Sequence, residues 1–126
     1  MAPGIYSDRH LANDLKQLYS YACQICETVL EIPGGIRFAS VAHIRGLELP
    51  HSGPDTLSNM LCLCPNHQAL FKFGSITIED DLRVIDQTDG EEIGVLLVRH
   101  DIDLEHIRYH REHHKFGHQK LRDQLS

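Results

Sequence analysis

The spacing of hydrophobic positions changes several times along the chain, and each change marks an element. Leu11, Leu15, Leu18 and Tyr19 recur at three- and four-residue intervals, the stripe of an amphipathic helix. Ser7 is its candidate N-cap, and the pattern predicts an end near Tyr21. Residues 21–27 lose the period and read as a tight turn. Ile32-Pro33-Gly34-Gly35 is a second turn, after which residues 36–42 read as one strand carrying His43 at its end. Residues 48–58, with Pro50, Gly53 and Pro54, form a loop. An apolar strand or turn follows over residues 57–63, with Asn59 on its approach. Pro65 suits the first turn of a helix that runs through Ala69, Leu70 and Phe71 and stops at Gly74. Residues 75–78, 82–86 and 93–98 alternate as further strands, the last two joined at Asp89-Gly90. Asp103 can cap a final helix from Leu104 to about Lys115. The order strand, loop, strand, helix, with flanking helices and extra strands, predicts the α+β class.

At 126 residues the chain is expected to form one domain, residues 1–126, with a modest core. No apolar run approaches the roughly 20 residues needed to span a bilayer, and residues 1–4 start no signal segment. A reducing, cytoplasmic setting without membrane contact is therefore expected. The net charge of −6 argues against affinity for nucleic acid over the whole surface, but the charge is polarised. Residues 79–103 hold nine acidic and two basic side chains, whereas residues 105–122 hold five Lys/Arg, two Glu and five His. A local basic face remains available.

Cys23 and Cys26 have the spacing C-x2-C, and Cys64 and His67 the spacing C-x2-H at a helix start. Two such half-sites, distant in sequence, can close one tetrahedral zinc. A competing assignment uses Cys62 and Cys64, since alternate residues of a strand share a face, and frees His67. Otherwise Cys62 is a small buried apolar residue. With no signal segment and ten histidines, metal ligation is favoured over two disulfides. A redox role for Cys23-Gln24-Ile25-Cys26 is disfavoured, because such a motif normally opens a helix and this one follows a helix.

The segments CQIC, AHIRGLELPHSGPDTLSNMLCLCPNHQALF and a closing IRYHREH together resemble the His-Asn-His (HNH) nucleases. Their core is the ββα-metal fold, and the nearest look is to nuclease domains of modification-dependent restriction enzymes. The resemblance spans residues 21–73 and, more loosely, 107–113. It implies a core of about residues 21–78 and metal-dependent endonuclease activity on DNA. His43 matches the general base, and Asn59 the asparagine that steadies the loop and base by hydrogen bonds or, in some members, helps at the metal. Cys23, Cys26, Cys64 and His67 match structural zinc ligands. Gln68 falls where the last histidine, a ligand of the catalytic cation, usually stands, and Ala42 also lacks a ligating group. These departures open the alternative of a degenerate, zinc-stabilised module that binds DNA or protein.

A histidine can take a proton at neutral pH while a divalent cation supplies the remaining electrostatics. Because an amide oxygen suits a hard cation, Mg²⁺ or Mn²⁺ is expected if Gln68 is a ligand, with Ni²⁺ and Co²⁺ as further candidates. His51 and His110 could complete the shell. His110 and His114 stand four apart on one helical face and could hold a metal, though such pairs are more often solvated surface. Arg45, His51, Lys72, Arg108 and Arg111, with Lys115, Lys120 and Arg122, are the candidate phosphate contacts. No base-reading element is visible, so a fused or separate reader domain is the expected partner.

Overall fold

The computed structural model describes the backbone of residues 8–125 and the side chains of residues 8–115. Helix α1 (Arg9–Leu18) starts where the Asp8 carboxylate accepts the amides of His10 and Leu11, at 2.9 and 3.3 Å. Those donors have no partner within the helix. Asp8 is therefore the cap, and Ser7 lies outside the described residues. The helix ends at Leu18 rather than near residue 21, because Ser20 and Tyr21 take left-handed φ values of 51° and 64°.

The single strand expected over residues 36–42 is two strands in two sheets. Strands β1 (Leu30–Ile32) and β2 (Ile36–Phe38) form a hairpin around Pro33-Gly34-Gly35. Its two glycines have φ of +95° and +72°, a region that side chains disfavour. The chain changes sheets at buried Ala39, and β3 (Ser40–His43) pairs antiparallel with β4 (Met60–Leu63). The sequence has no Gly, Pro, Asn or Asp between Ile36 and His43, so no turn residue announces the break. Of the segment expected as an apolar strand or turn, Leu57–Asn59 is a short 3-10 turn and the strand begins at Met60. Helix α2 (Pro65–Lys72) follows β4 directly, with Cys64 as its N-cap, and completes a ββα unit. Strands β5 (Ile76–Ile78), β6 (Arg83–Asp86) and β7 (Glu92–Val95) form an antiparallel sheet. Helix α3 (Leu104–Leu125) begins after Asp103, whose carboxylate accepts the Glu105 amide at 2.9 Å. It runs about ten residues beyond the expected end near Lys115. Residues 119–122, Gln-Lys-Leu-Arg, are good helix formers that carry it past Gly117.

Strand β4 organises the packing, since all its residues are buried. Side chains alternate across a strand. Met60 and Cys62 therefore pack with Leu15, Tyr19 and Ala39 under α1, while Leu61 and Leu63 pack with Ala42, Phe71, Ile76, Ile78 and Ile107. Each such leucine contributes about 1.5–3 kcal/mol by leaving water. No helix among the described residues is long and apolar enough to cross a membrane.

Candidate metal centre and active cleft

Four donors from two distant segments converge. The ligand atoms of Cys23, Cys26, Cys64 and His67 all lie within 4.8 Å of one another. Cys64 Sγ is 3.3 Å and Cys23 Sγ 3.7 Å from His67 Nδ1, and Cys26 Sγ is 3.9 Å from Cys64 Sγ. A tetrahedral zinc with bonds of about 2.3 Å to sulfur and about 2.1 Å to nitrogen sets edges of about 3.6–3.8 Å. The donor set fits zinc, in a closed four-ligand site.

The first pair is held by its own turn. The Cys23 amide donates to the Thr28 carbonyl at 3.0 Å and the Glu27 amide to the Cys23 carbonyl at 2.8 Å. Between the cysteines, fully buried Gln24 sews this turn to the core. Its backbone amide donates to the Cys62 carbonyl at 2.9 Å and its side-chain oxygen accepts the Cys62 amide at 2.8 Å. Its Nε2 donates to the Leu97 carbonyl at 2.7 Å. Sequence reasoning missed Gln24, because a glutamine between two cysteines carries no sign of long-range pairing. Burial pushes the Cys23 thiol up to about 11. Burial also acts upward on Cys26, but hydrogen bonds from the Thr28 side chain and amide outweigh it and hold this thiol below its ordinary value. Cys62 is outside the cluster. It lies under α1, fully buried, and burial pushes its thiol up to about 11.

His43 ends β3 with Nε2 at 2.9 Å from Asp55 Oδ1. The two side chains are 15% and 23% exposed. The other oxygen of Asp55 accepts the Asp8 amide, at 2.5 Å, so the N-cap of α1 braces the partner of His43. Asn59 is fully buried. Its Oδ1 accepts the Arg45 amide, and its Nδ2 donates to the carbonyls of Arg45 and Pro54, each at 2.8 Å. The structure thus joins Asn59 to the segment after β3 and to the residue before Asp55. Gly53 permits this loop to close, since a Cβ there would meet the Arg45 carbonyl. Sequence reasoning missed Asp55, a carboxylate four positions before Asn59 in a loop without periodicity.

A cleft of about 330 Å³ opens beside His43, lined also by Gln68 and Lys72 from the α2 side, His51 from the loop, and Tyr109 and His110 from α3. Arg45 borders it, with its guanidinium 4.2 Å from the Tyr109 ring centre and its Nε donating to the His51 carbonyl at 2.5 Å. His51 Nδ1 lies 2.7 Å from the Tyr109 hydroxyl. Lys72 is exposed at the edge. Arg108 and Arg111 do not line the cleft. They pair with Asp80 at 3.1 and 2.8 Å, and Arg111 also donates to the Ile78 carbonyl at 2.9 Å. Arg108, then Arg111, hold the Asp80 carboxyl below its usual range. The side chains of Lys120 and Arg122 lie outside the described residues.

Residues 23–79 match the family model of the HNH endonucleases. Among solved structures, the chain is similar to a modification-dependent TagI restriction endonuclease. The identity is 45%, over 85% of this chain and 38% of that one, with a TM-score of 0.82. The chain thus spans about two fifths of that enzyme's length. A search of curated proteins returns no match.

Proposed function

The chain belongs to the HNH endonuclease family, and on that premise we propose that it is a metal-dependent endonuclease hydrolysing phosphodiester bonds of DNA, with His43 as general base. The observation that carries this reading is the pairing of His43 Nε2 with Asp55. A carboxylate on Nε2 keeps the proton there and leaves Nδ1 as the acceptor. Nδ1 takes a proton from water, the hydroxide oxygen bonds to phosphorus, and the bond from phosphorus to the leaving sugar oxygen breaks. That oxygen takes its proton from solvent. Asn59 acts at one remove, by fixing the loop that presents Asp55. A divalent cation held by Gln68 and a further ligand, Mg²⁺, Mn²⁺, Ni²⁺ or Co²⁺, would stabilise charge on the phosphate.

Zinc in the Cys3His knot is structural, closing the start of the unit onto α2. The chain acts as one nuclease domain, residues 1–126, with its core at about residues 21–78. Arg45, His51 and Lys72 lie nearest the cleft and form its first phosphate contacts, with Arg108 and Arg111 reached only if Asp80 releases them. Sequence or modification specificity comes from a fused or separate reader domain. A reducing cytoplasm suits the thiolates of the knot.

A plasmid-nicking assay on zinc-loaded protein, with each of the four cations, tests the reading. Wild type nicks DNA, and His43→Ala lowers the rate by about 10²–10⁴-fold without altering zinc content. Gln68 and Ala42 favour a second reading, in which the module binds DNA without cutting it. Wild type that is inert with every cation, yet still retards DNA, would decide for that one.

A further inference from the structure

One polar atom beside the cleft has nothing to bind. His110 is 5% exposed, its Nε2–H donates to the Phe71 carbonyl at 2.7 Å, and its ring lies flat on Phe71 at 3.7 Å between centroids. These contacts settle ring orientation and tautomer, so Nδ1 holds a bare lone pair, buried and without a hydrogen-bond partner. A buried acceptor left unmet costs about 1–3 kcal/mol. An imidazole whose other N–H is fixed by a carbonyl is also how metal-ligating histidines are oriented.

The surroundings supply a second imidazole and space for it. The His114 ring centre is 4.4 Å from that of His110. Two imidazoles on adjacent corners of an octahedral ion, with bonds of about 2.1 Å, would place their centres about 4.5 Å apart. Gly74 leaves room for His114, since a Cβ there would run into its ring. His43, Gln68, His110 and His114 all line the same cleft. His106 Nδ1 is also buried and unpartnered, but His106 does not line the cleft.

Building on the nuclease reading, we propose that His110 Nδ1, with His114 beside it, ligates the divalent cation of the cleft. Helix α3 thereby supplies an imidazole that Ala42 and Gln68 cannot. The test uses zinc-loaded full chain and Mn²⁺, with DNA absent, and follows loss of the free Mn²⁺ resonance. Wild type binds Mn²⁺ beyond its zinc. In His110→Gln the amide nitrogen can keep the bond to the Phe71 carbonyl while the Nδ1 lone pair is gone. Its Mn²⁺ affinity falls tenfold or more at unchanged zinc content. Should that variant not fold, imidazole-nitrogen spectra of wild type decide, because Mn²⁺ then broadens His110 Nδ1 before His100. Wild type that binds no added Mn²⁺, His110→Gln that binds it equally well, or an unmoved His110 resonance overturns the assignment. Mn²⁺ held at His110 in a protein that nicks nothing leaves the ligand standing and removes the nuclease reading. Equal nicking and equal Mn²⁺ binding by both proteins does the reverse.

Discussion

His67 and Gln68 are neighbours on α2, yet they serve two sites built in opposite ways. His67 joins the knot, where the donors come as two short-range pairs, each preset by a tight turn or a helix start. Two half-sites then need only one docking event, which Gln24 secures through Cys62 and Leu97. Gln68 joins the cleft, whose walls come singly from β3, the loop, α2 and α3. No two of its principal residues, His43, Asp55, Gln68 and His110, are closer than twelve positions in sequence. The knot is a local design repeated twice, whereas the cleft exists only once every element has packed.

The contrast can be broken most sharply at the knot. Cys64→Ser removes one of its converging thiolates, and structural zinc supplies about 10–16 kcal/mol of apparent folding free energy in small metal domains. We expect zinc to be lost and the cooperative melting transition with it, measured by metal analysis and circular dichroism. A fully zinc-loaded, normally melting variant would show that the knot does not staple the fold. At the cleft, Asp55→Asn keeps the size of the side chain but not its charge. Nicking should slow by about 10–100-fold, the usual cost of losing an orienting partner, with DNA affinity within about twofold and melting little changed. Equal rates would remove Asp55 from the machinery.

Cys62→Ala sharpens the assignment of the knot. It should cost about 1 kcal/mol through a small cavity under α1 and leave one zinc per chain, whereas loss of zinc would return Cys62 to the ligand set. The smallest effect is at His100, which bridges the Tyr19 hydroxyl and the Met60 carbonyl at 2.5 and 2.9 Å. Burial holds its pKa below the ordinary value, so below about pH 6.5 the unfolded chain takes up the more protons. Wild-type stability therefore declines as pH falls from there toward the lowered folded value. In His100→Gln, which can keep the donor to Met60, melting temperature should depend less on pH between 7 and 5. His67 and His110 share the sign of His100 and are present in both proteins, so the difference isolates position 100. Identical slopes would refute the linkage.

Much of the fold could be read in advance. The helix of Leu11, Leu15 and Tyr19, the helix opened by Pro65 and the strands after Gly74 follow from periods and turn residues that act over a few positions. The gaps have physical causes too. No Gly, Pro, Asn or Asp stands between Ile36 and His43, so no turn residue marked the break at Ala39 and two strands looked like one. Burial of β4 on both faces erased the polar alternation that marks a half-buried strand, and only packing told Met60 and Cys62 from Leu61 and Leu63. Arg108 and Arg111 looked open to phosphate because Asp80, about thirty positions away, leaves no mark near them.

By itself the sequence determined most of the elements and the C-x2-C and C-x2-H half-sites, because these rest on interactions within a few residues, while His43 and Asn59 became candidates through the resemblance to the HNH nucleases. Only the tertiary structure decided that Asp55 and the amide of Asp8, the N-cap of α1, stand behind His43, that Cys62 turns away from the knot, and that His110 brings a bare nitrogen to the cleft. Those are contacts between segments remote in sequence, and burial of β4 between two apolar layers is what brings the segments together.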